Sequence, residues 1–234
     1  MKYYLVLIVA ILLVFSCEKE VQSDFTLMGT IKGLKKGTVY LQKFPDSVYV
    51  TLDSIALNGT SSFQLHSDLE EPEVLFLKLD KNDNDDARIP FFADTGVTTI
   101  ETTLKNFKFD ARVYGSNQQN VLDEYMEIMG KMNDQNLDNL KEKLEAMKAQ
   151  DTNATEALEA YQANFLKRKY RYTINFALNN PDSEVAPYLA LYEVPNTSVT
   201  YLDSIYNSLT TPIKNSLYGK KLEAYIQERK ELGL

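Results

Sequence analysis

The chain has 234 residues, with 25 Lys+Arg against 33 Asp+Glu, one Cys and one His. That length can bury a core without disulfides or structural metal, and its ordinary apolar, Gly and Pro content excludes collagen-like, wholly disordered and polytopic membrane classes. A net charge of −8 disfavours nucleic acid, which binds through cations that displace its counterions, and a lone cysteine excludes an internal disulfide.

Lys2, the unbroken apolar run 3–15 and then Ser16-Cys17 have the layout of a secretory signal. The run is too short for a spanning helix, which needs about 20 residues. Val14-Phe15-Ser16-Cys17 resembles a bacterial lipobox, which predicts a signal peptide over 1–16, acylation of Cys17 and a lipidated tether over 17–23. Cleavage would remove Lys2 and take the net charge to −9. Several acyl chains on one residue hold a membrane far more durably than one. Glu18-Lys19-Glu20 resembles the acidic export tags of outer-membrane lipoproteins. The expected location is the cell envelope, lipid-anchored in the outer membrane on its periplasmic or surface-exposed face.

Residues 24–114 repeat apolar side chains at period two between Gly, Pro, Asn and Asp, the pattern of short strands. Phe25, Leu27, Gly29 and Ile31 alternate with Thr26, Met28 and Thr30, and Lys35-Lys36-Gly37 turns the chain into a strand at 39–41. Asn58-Gly59 predicts a hairpin between 52–57 and 62–65, because a type I′ turn needs positive φ at both central residues. Residues 74–79 read as a buried central strand, and 88–93, 97–103 and 107–113 complete eight. In the last, Phe107, Phe109, Ala111 and Val113 share one face against Lys108, Asp110 and Arg112. The expected module is an antiparallel β-sandwich or partly open barrel.

Residues 116–234 change to the 3.6-residue period and predict an all-α layer. Ser116 and Gln119 form a capping box. The stripe Leu122, Tyr125, Met129, Met132 is out of step by one residue with Leu137, Leu140, Leu144, Met147, which predicts a kink or break near 133–136. A second long helix, capped by Asp151, Thr152 or Asn153, carries Leu158, Tyr161, Phe165, Tyr172 and Phe176 and should pair antiparallel with the first. Pro181, Pro187, Pro195 and Pro212 divide the rest into short helices, one with Thr211 as N-cap and Pro212 at N1.

Few residues offer chemistry. Asp80, Asn82, Asn84 and Asp86 occupy the first four ligand positions of an EF-hand calcium loop. Asp85 replaces its glycine and Phe91 its bidentate glutamate, so a solvated hairpin loop is the simpler expectation. His66, the single imidazole, stands beside Ser67 and Asp68 at a strand end, where adjacent side chains point to opposite faces and form no triad. Carboxylate pairs of the glycosidase kind cannot be picked out of 33 acids. Lys167-Arg168-Lys169-Tyr170-Arg171 is the one dense basic run, expected to be a solvated helix face with salt bridges rather than a docking patch. Ser47, Ser54 and Ser204 follow an aspartate and precede an aliphatic residue, which resembles a bacterial O-glycosylation acceptor.

Phe25-Thr26-Leu27-Met28-Gly29-Thr30-Ile31, Gly37-Thr38-Val39-Tyr40-Leu41, Leu52-Asp53-Ser54-Ile55 and the Asn58-Gly59 to Phe63 hairpin resemble the uncharacterised domain that precedes the thioredoxin-like domain of bacterial thiol:disulfide interchange (TlpA-like) lipoproteins. Asn180-Pro181-Asp182-Ser183-Glu184-Val185-Ala186-Pro187-Tyr188 and Tyr218-Gly219 resemble its helical continuation. That family would continue into a Cys-x-x-Cys pair, which this sequence does not contain, so no thiol redox activity of its own is expected. The resemblance implies a lipid-anchored accessory module. The function expected is therefore non-enzymatic binding or scaffolding, without cofactor or metal, at a membrane reached through the lipid on Cys17. The alternative is an accessory to a separate thioredoxin-like or stress-response system. Envelope partners would be a thioredoxin-like protein or an outer-membrane complex, with no nucleic acid.

Overall fold

A computed structural model describes residues 23–81, 87–148 and 152–233. The predicted signal peptide, Cys17 and nearly all of the tether lie outside the described residues. Among the described residues eight strands form two four-stranded sheets. The first holds β1 (Phe25–Lys32), β4 (Ser62–Ser67), β7 (Gly96–Thr103) and β8 (Arg112–Tyr114) in the order β4-β1-β7-β8. The second holds β2 (Lys36–Lys43), β3 (Val50–Asn58), β5 (Glu73–Asp80) and β6 (Arg88–Ala93) in the order β3-β2-β5-β6. Period-two alternation places Phe25, Leu27 and Ile31 of β1 in one sandwich core with Leu75, Leu77 and Leu79 of β5, all of them buried.

The architecture is the expected β-sandwich followed by helices, but its topology departs from expectation. The hairpin predicted at Asn58-Gly59 does not form: β3 pairs with β2 and β4 with β1, so the turn carries the chain from one sheet to the other. β1 and β7 pair in parallel, Phe25 opposite Gly96 through Lys32 opposite Thr103. Five strands intervene between them, long enough for the crossover a parallel pair requires, so no hairpin forces them antiparallel.

A further difference concerns 107–113, where only Arg112–Tyr114 is strand. Thr103 Oγ1 donates to Asp110 Oδ2 at 2.6 Å and accepts from Asn106 N, and Asn106 Nδ2 donates to Asp110 Oδ1. These local side-chain bonds give the backbone an alternative to a sheet ladder. Phe107 is buried beneath the loop and Phe109 is 92% exposed, so the two do not share a face.

Six helices follow among the described residues: α1 (Asn117–Lys148), α2 (Thr152–Asn179), α3 (Val185–Tyr192), α4 (Val199–Ser208), α5 (Thr211–Lys214) and α6 (Leu217–Glu231). Half of the expected capping box is present, with Gln119 N donating to Ser116 Oγ at 3.0 Å. The Gln119 side chain turns instead to the sheet and accepts from Phe92 N at 2.7 Å, supplying a partner that edge strand β6 lacks. α1 runs through 133–136 without a break. No described side chain from 133 to 148 is buried, so no packed face there enforces the register slip seen in the sequence. α1 and α2 are antiparallel as expected, joined by Tyr125 Oη to Thr173 Oγ1 at 2.9 Å and Lys143 Nζ to Ala157 O at 2.9 Å. Pro187 lies in the first turn of α3, where its missing N–H leaves no bond unmade, and Thr210 holds the N-cap position of α5, one residue earlier than expected and without a side-chain capping bond.

The helices cover the outer face of the second sheet at its β5/β6 end. Phe92, fully buried, packs among Tyr125, Met129, Val185, Leu189 and Tyr218, with Val74 beside it. Phe91 points the other way into the sandwich. Consecutive aromatics on β6 thus serve two cores.

Candidate functional site

The residues singled out in the sequence do not converge. Asp80 ends β5, whereas Asn82, Asn84 and Asp86 lie outside the described residues. Among the described residues no group of three His, Cys, Asp or Glu is arranged to hold a metal ion. His66 Nδ1 sits 3.1 Å from Thr26 Oγ1 and 3.2 Å from Ser23 Oγ, which fixes the ring against β1. Ser67 Oγ donates to the Asp68 carbonyl, away from the imidazole. Ser47, Ser54 and Ser204 are exposed but scattered over the β2–β3 turn, β3 and α4, and the Ser204 hydroxyl donates back to Thr200 O. Of the basic run, Lys169 makes the expected salt bridge, to Glu193 at 2.9 Å.

A different place gathers chemistry. β2 and β5 stay paired only as far as Gln42 opposite Phe76, after which β2 leaves through a 3₁₀ turn at Pro45–Ser47. The backbone of β5 before Phe76 is completed by a helix instead: Val74 N donates to Tyr218 Oη at 2.9 Å. Tyr218 stands in the first turn of α6, and Tyr188 and Tyr192, four residues apart, share one face of α3. Their rings meet nearly edge to face, with centroids 5.3 Å apart for Tyr188 and Tyr218 and 6.3 Å for Tyr192 and Tyr218. Phe44 and Phe76, centroids 6.3 Å apart, form the opposite wall. Between the walls lies a cleft of about 380 Å³, with Lys43, Glu73 and Lys221 as its charged lining. That is within the range of small-molecule sites.

The electrostatics of the cleft are set mainly by burial. Burial raises the phenol pKa of Tyr218, and pushes that of Tyr188 up to about 12, so both stay neutral near pH 7. Because Tyr218 Oη accepts from Val74 N, its own proton remains to donate into the cleft. Burial also raises Glu73 above the usual carboxylate range, against the opposing pull of Lys43 and Lys221.

Behind the cleft, two carboxylates fasten helix starts to the ends of β5 and β6, and a third ties the starts of α3 and α6 together. Glu71 Oε2 accepts from Leu217 N at 2.6 Å, and Asp94 Oδ2 accepts from Gln118 N and Ser116 Oγ, each at 3.0 Å. Both acids meet helix N-termini, where negative charge is favourable. The third, Glu184, is 4% exposed, with Oε2 2.6 Å from Ser216 Oγ. Ser216 Oγ also lies 2.7 Å from Ile213 O. The two acceptors compete for one hydroxyl proton: Ser216 donates to the ionised carboxylate, and when Glu184 is protonated the acid can donate to Ser216 Oγ, which frees the hydroxyl proton for Ile213 O. Burial pushes the Glu184 carboxyl up to about 7, opposed by the Ser216 bond and reinforced by Glu71 and Asp94.

Sequence reasoning missed the cleft because its walls come from positions near 44, 75, 190 and 218. The i, i+4 pair Tyr188 and Tyr192 was the one local signal available. Residues 25–122 match the family described as "Domain of unknown function (DUF4369)". The match spans the whole β part and the first turns of α1, the turns that hold the Gln118 and Gln119 bonds to the sheets. No curated protein and no solved structure matches the chain.

Proposed function

We propose that this chain is a non-enzymatic binding module of the cell envelope, held at a membrane by acyl chains on Cys17, with its ligand in the cleft between sheet and helices. The observation that carries the reading is the cleft itself: neutral tyrosines and two phenylalanines facing an open cavity rimmed by two lysines and one glutamate. Aromatic walls with a few placed polar groups are the usual composition of a binding site. The anchor rests on the signal-like run and the lipobox likeness of residues 14–17. No helix among the described residues is long and apolar enough to cross a membrane. The likeness of residues 25–63 to the N-terminal domain of TlpA-like lipoproteins makes a thioredoxin-like envelope protein, or an outer-membrane complex, the first partner to look for.

Two measurements test this. Intact mass of the protein from a membrane fraction should equal the chain from Cys17 onward plus its acyl groups, and Cys17→Ala should move the protein to the soluble fraction; an unmodified Cys17 refutes the anchor. A photo-crosslinking amino acid at Tyr192, 55% exposed on the cleft rim, should give adducts in intact cells that the same group at the remote, exposed Phe109 does not. Identical adducts from both positions refute the site.

A further inference from the structure

α2 carries a second concavity, away from the cleft. Leu166, Tyr170 and Ile174 recur every four residues, and so do Lys167, Arg171 and Asn175 one position on. A spacing of four keeps each trio in a row on the helix surface. An apolar row and a row of two cations and an amide therefore run side by side for about 12 Å, at 1.5 Å per residue. The other bank is Tyr201 of α4, with Thr197 just before that helix, and the groove between them holds about 480 Å³. Leu166 and Tyr201 are half exposed while Ile174, at 6%, forms the floor.

The fold leaves these polar groups unused. Among the described residues neither Lys167 nor Arg171 has a carboxylate within 4 Å, although their neighbour Lys169 does. No acid lines the groove. Thr197 is 7% exposed, and its hydroxyl forms no hydrogen bond with another described residue. Unneutralised cations beside an apolar floor stand out in a chain of net charge −8, since the charge complement they select is an anion that also carries hydrocarbon.

We propose that this groove binds a single-chain amphiphile with an anionic head, a carboxylate or a phosphate. The head lies between Lys167 and Arg171, one helical turn apart, where the guanidinium can form paired bonds to two oxygens. The tail follows Leu166, Tyr170 and Ile174 against the Tyr201 ring. Thr197 and Asn175 offer further donors to the head. The site shares no residue with the cleft, so it stands or falls independently of the cleft reading.

Isothermal titration of the full mature chain with decanoate and decyl phosphate, kept below micelle formation, tests this. Both should bind saturably, and decyltrimethylammonium should not. Lys167→Gln with Arg171→Gln should weaken binding by at least about tenfold, because each bond to a charged group contributes measurably. Tyr201→Ala should weaken it severalfold. All of these substitutions fall on the exposed banks of the groove, and unchanged circular dichroism melting curves establish that the variants fold. Absence of saturable heat, equal affinity in the double variant, or equal binding of the cationic amphiphile overturns the proposal. Binding only to phosphatidylglycerol vesicles, without uptake of monomeric decanoate or decyl phosphate, also overturns it and makes the groove a membrane contact.

Discussion

Replacing Glu184 with glutamine should remove a pH dependence from the stability of the fold. The carboxyl titrates near 7 in the folded protein because burial disfavours its charge, and near 4.5 in the unfolded chain. Between those values the folded state binds more protons than the unfolded one, so stability falls as pH rises. Glu184 contributes its full stabilisation below about pH 4.5 and has lost it once pH passes about 7, a span worth roughly 3 kcal/mol. The amide that Glu184→Gln introduces can donate to Ser216 Oγ much as the protonated acid does, and it does not titrate. Urea unfolding of both proteins from pH 4.5 to 8 isolates the effect, because Glu73 and other acids cancel in the difference. Glu184→Gln should be close to wild type in stability at pH 4.5 and more stable by roughly 3 kcal/mol at pH 8. A stability difference that does not change with pH would refute the buried, proton-sharing arrangement of Glu184 and Ser216.

Three further substitutions probe how the parts are joined, each read by denaturant midpoint. Phe92→Ala empties the contact between β6 and the helical cluster and should cost about 3–5 kcal/mol, as large buried aromatics do; a loss below about 1 kcal/mol would show that the two parts hardly depend on each other. Gln119→Ala leaves the buried Phe92 N–H without its acceptor and should cost about 1–3 kcal/mol, with hydrogen exchange at Phe92 accelerated. A β-carbon at Gly219 would lie 1.9 Å from Ile213 O, so Gly219→Ala must push α6 away from α5. It should cost roughly 2–3 kcal/mol and perturb Tyr218, visible in the near-ultraviolet circular dichroism of its ring.

How much was legible beforehand depended on how local each cause is. Strand β1 was readable because alternation at period two is fixed by the pleat, and β5 because a short, nearly continuous apolar run suits a strand buried on both faces. The Asn58-Gly59 signal marked a real turn but not a hairpin, because which strand the chain pairs with after the turn is decided by the packing of the two sheets. Gly59 has positive φ but Asn58 does not and stays in β3 opposite Lys36, so the two-residue type I′ turn is not formed. The start of α1 was readable from Ser116, since a capping hydroxyl acts within three residues. The stretch 107–113 misled because its alternation was genuine, yet Thr103, Asn106 and Asp110 bond one another before a strand can pair.

The sequence by itself therefore determined the two-part organisation, a β module turning to helices near Gly115, along with the signal-like start and the single thiol. Only the tertiary structure decided the parallel β1/β7 pair, the docking of α3 and α6 on the second sheet, and with it the cleft. Tyr218 meets Val74 across 144 positions, and Leu217 meets Glu71 across 146. No periodicity encodes contacts at that separation. They follow from which apolar faces remain open after the local elements form, and Glu184 acquires its burial, and so its displaced pKa, only when those faces close on each other.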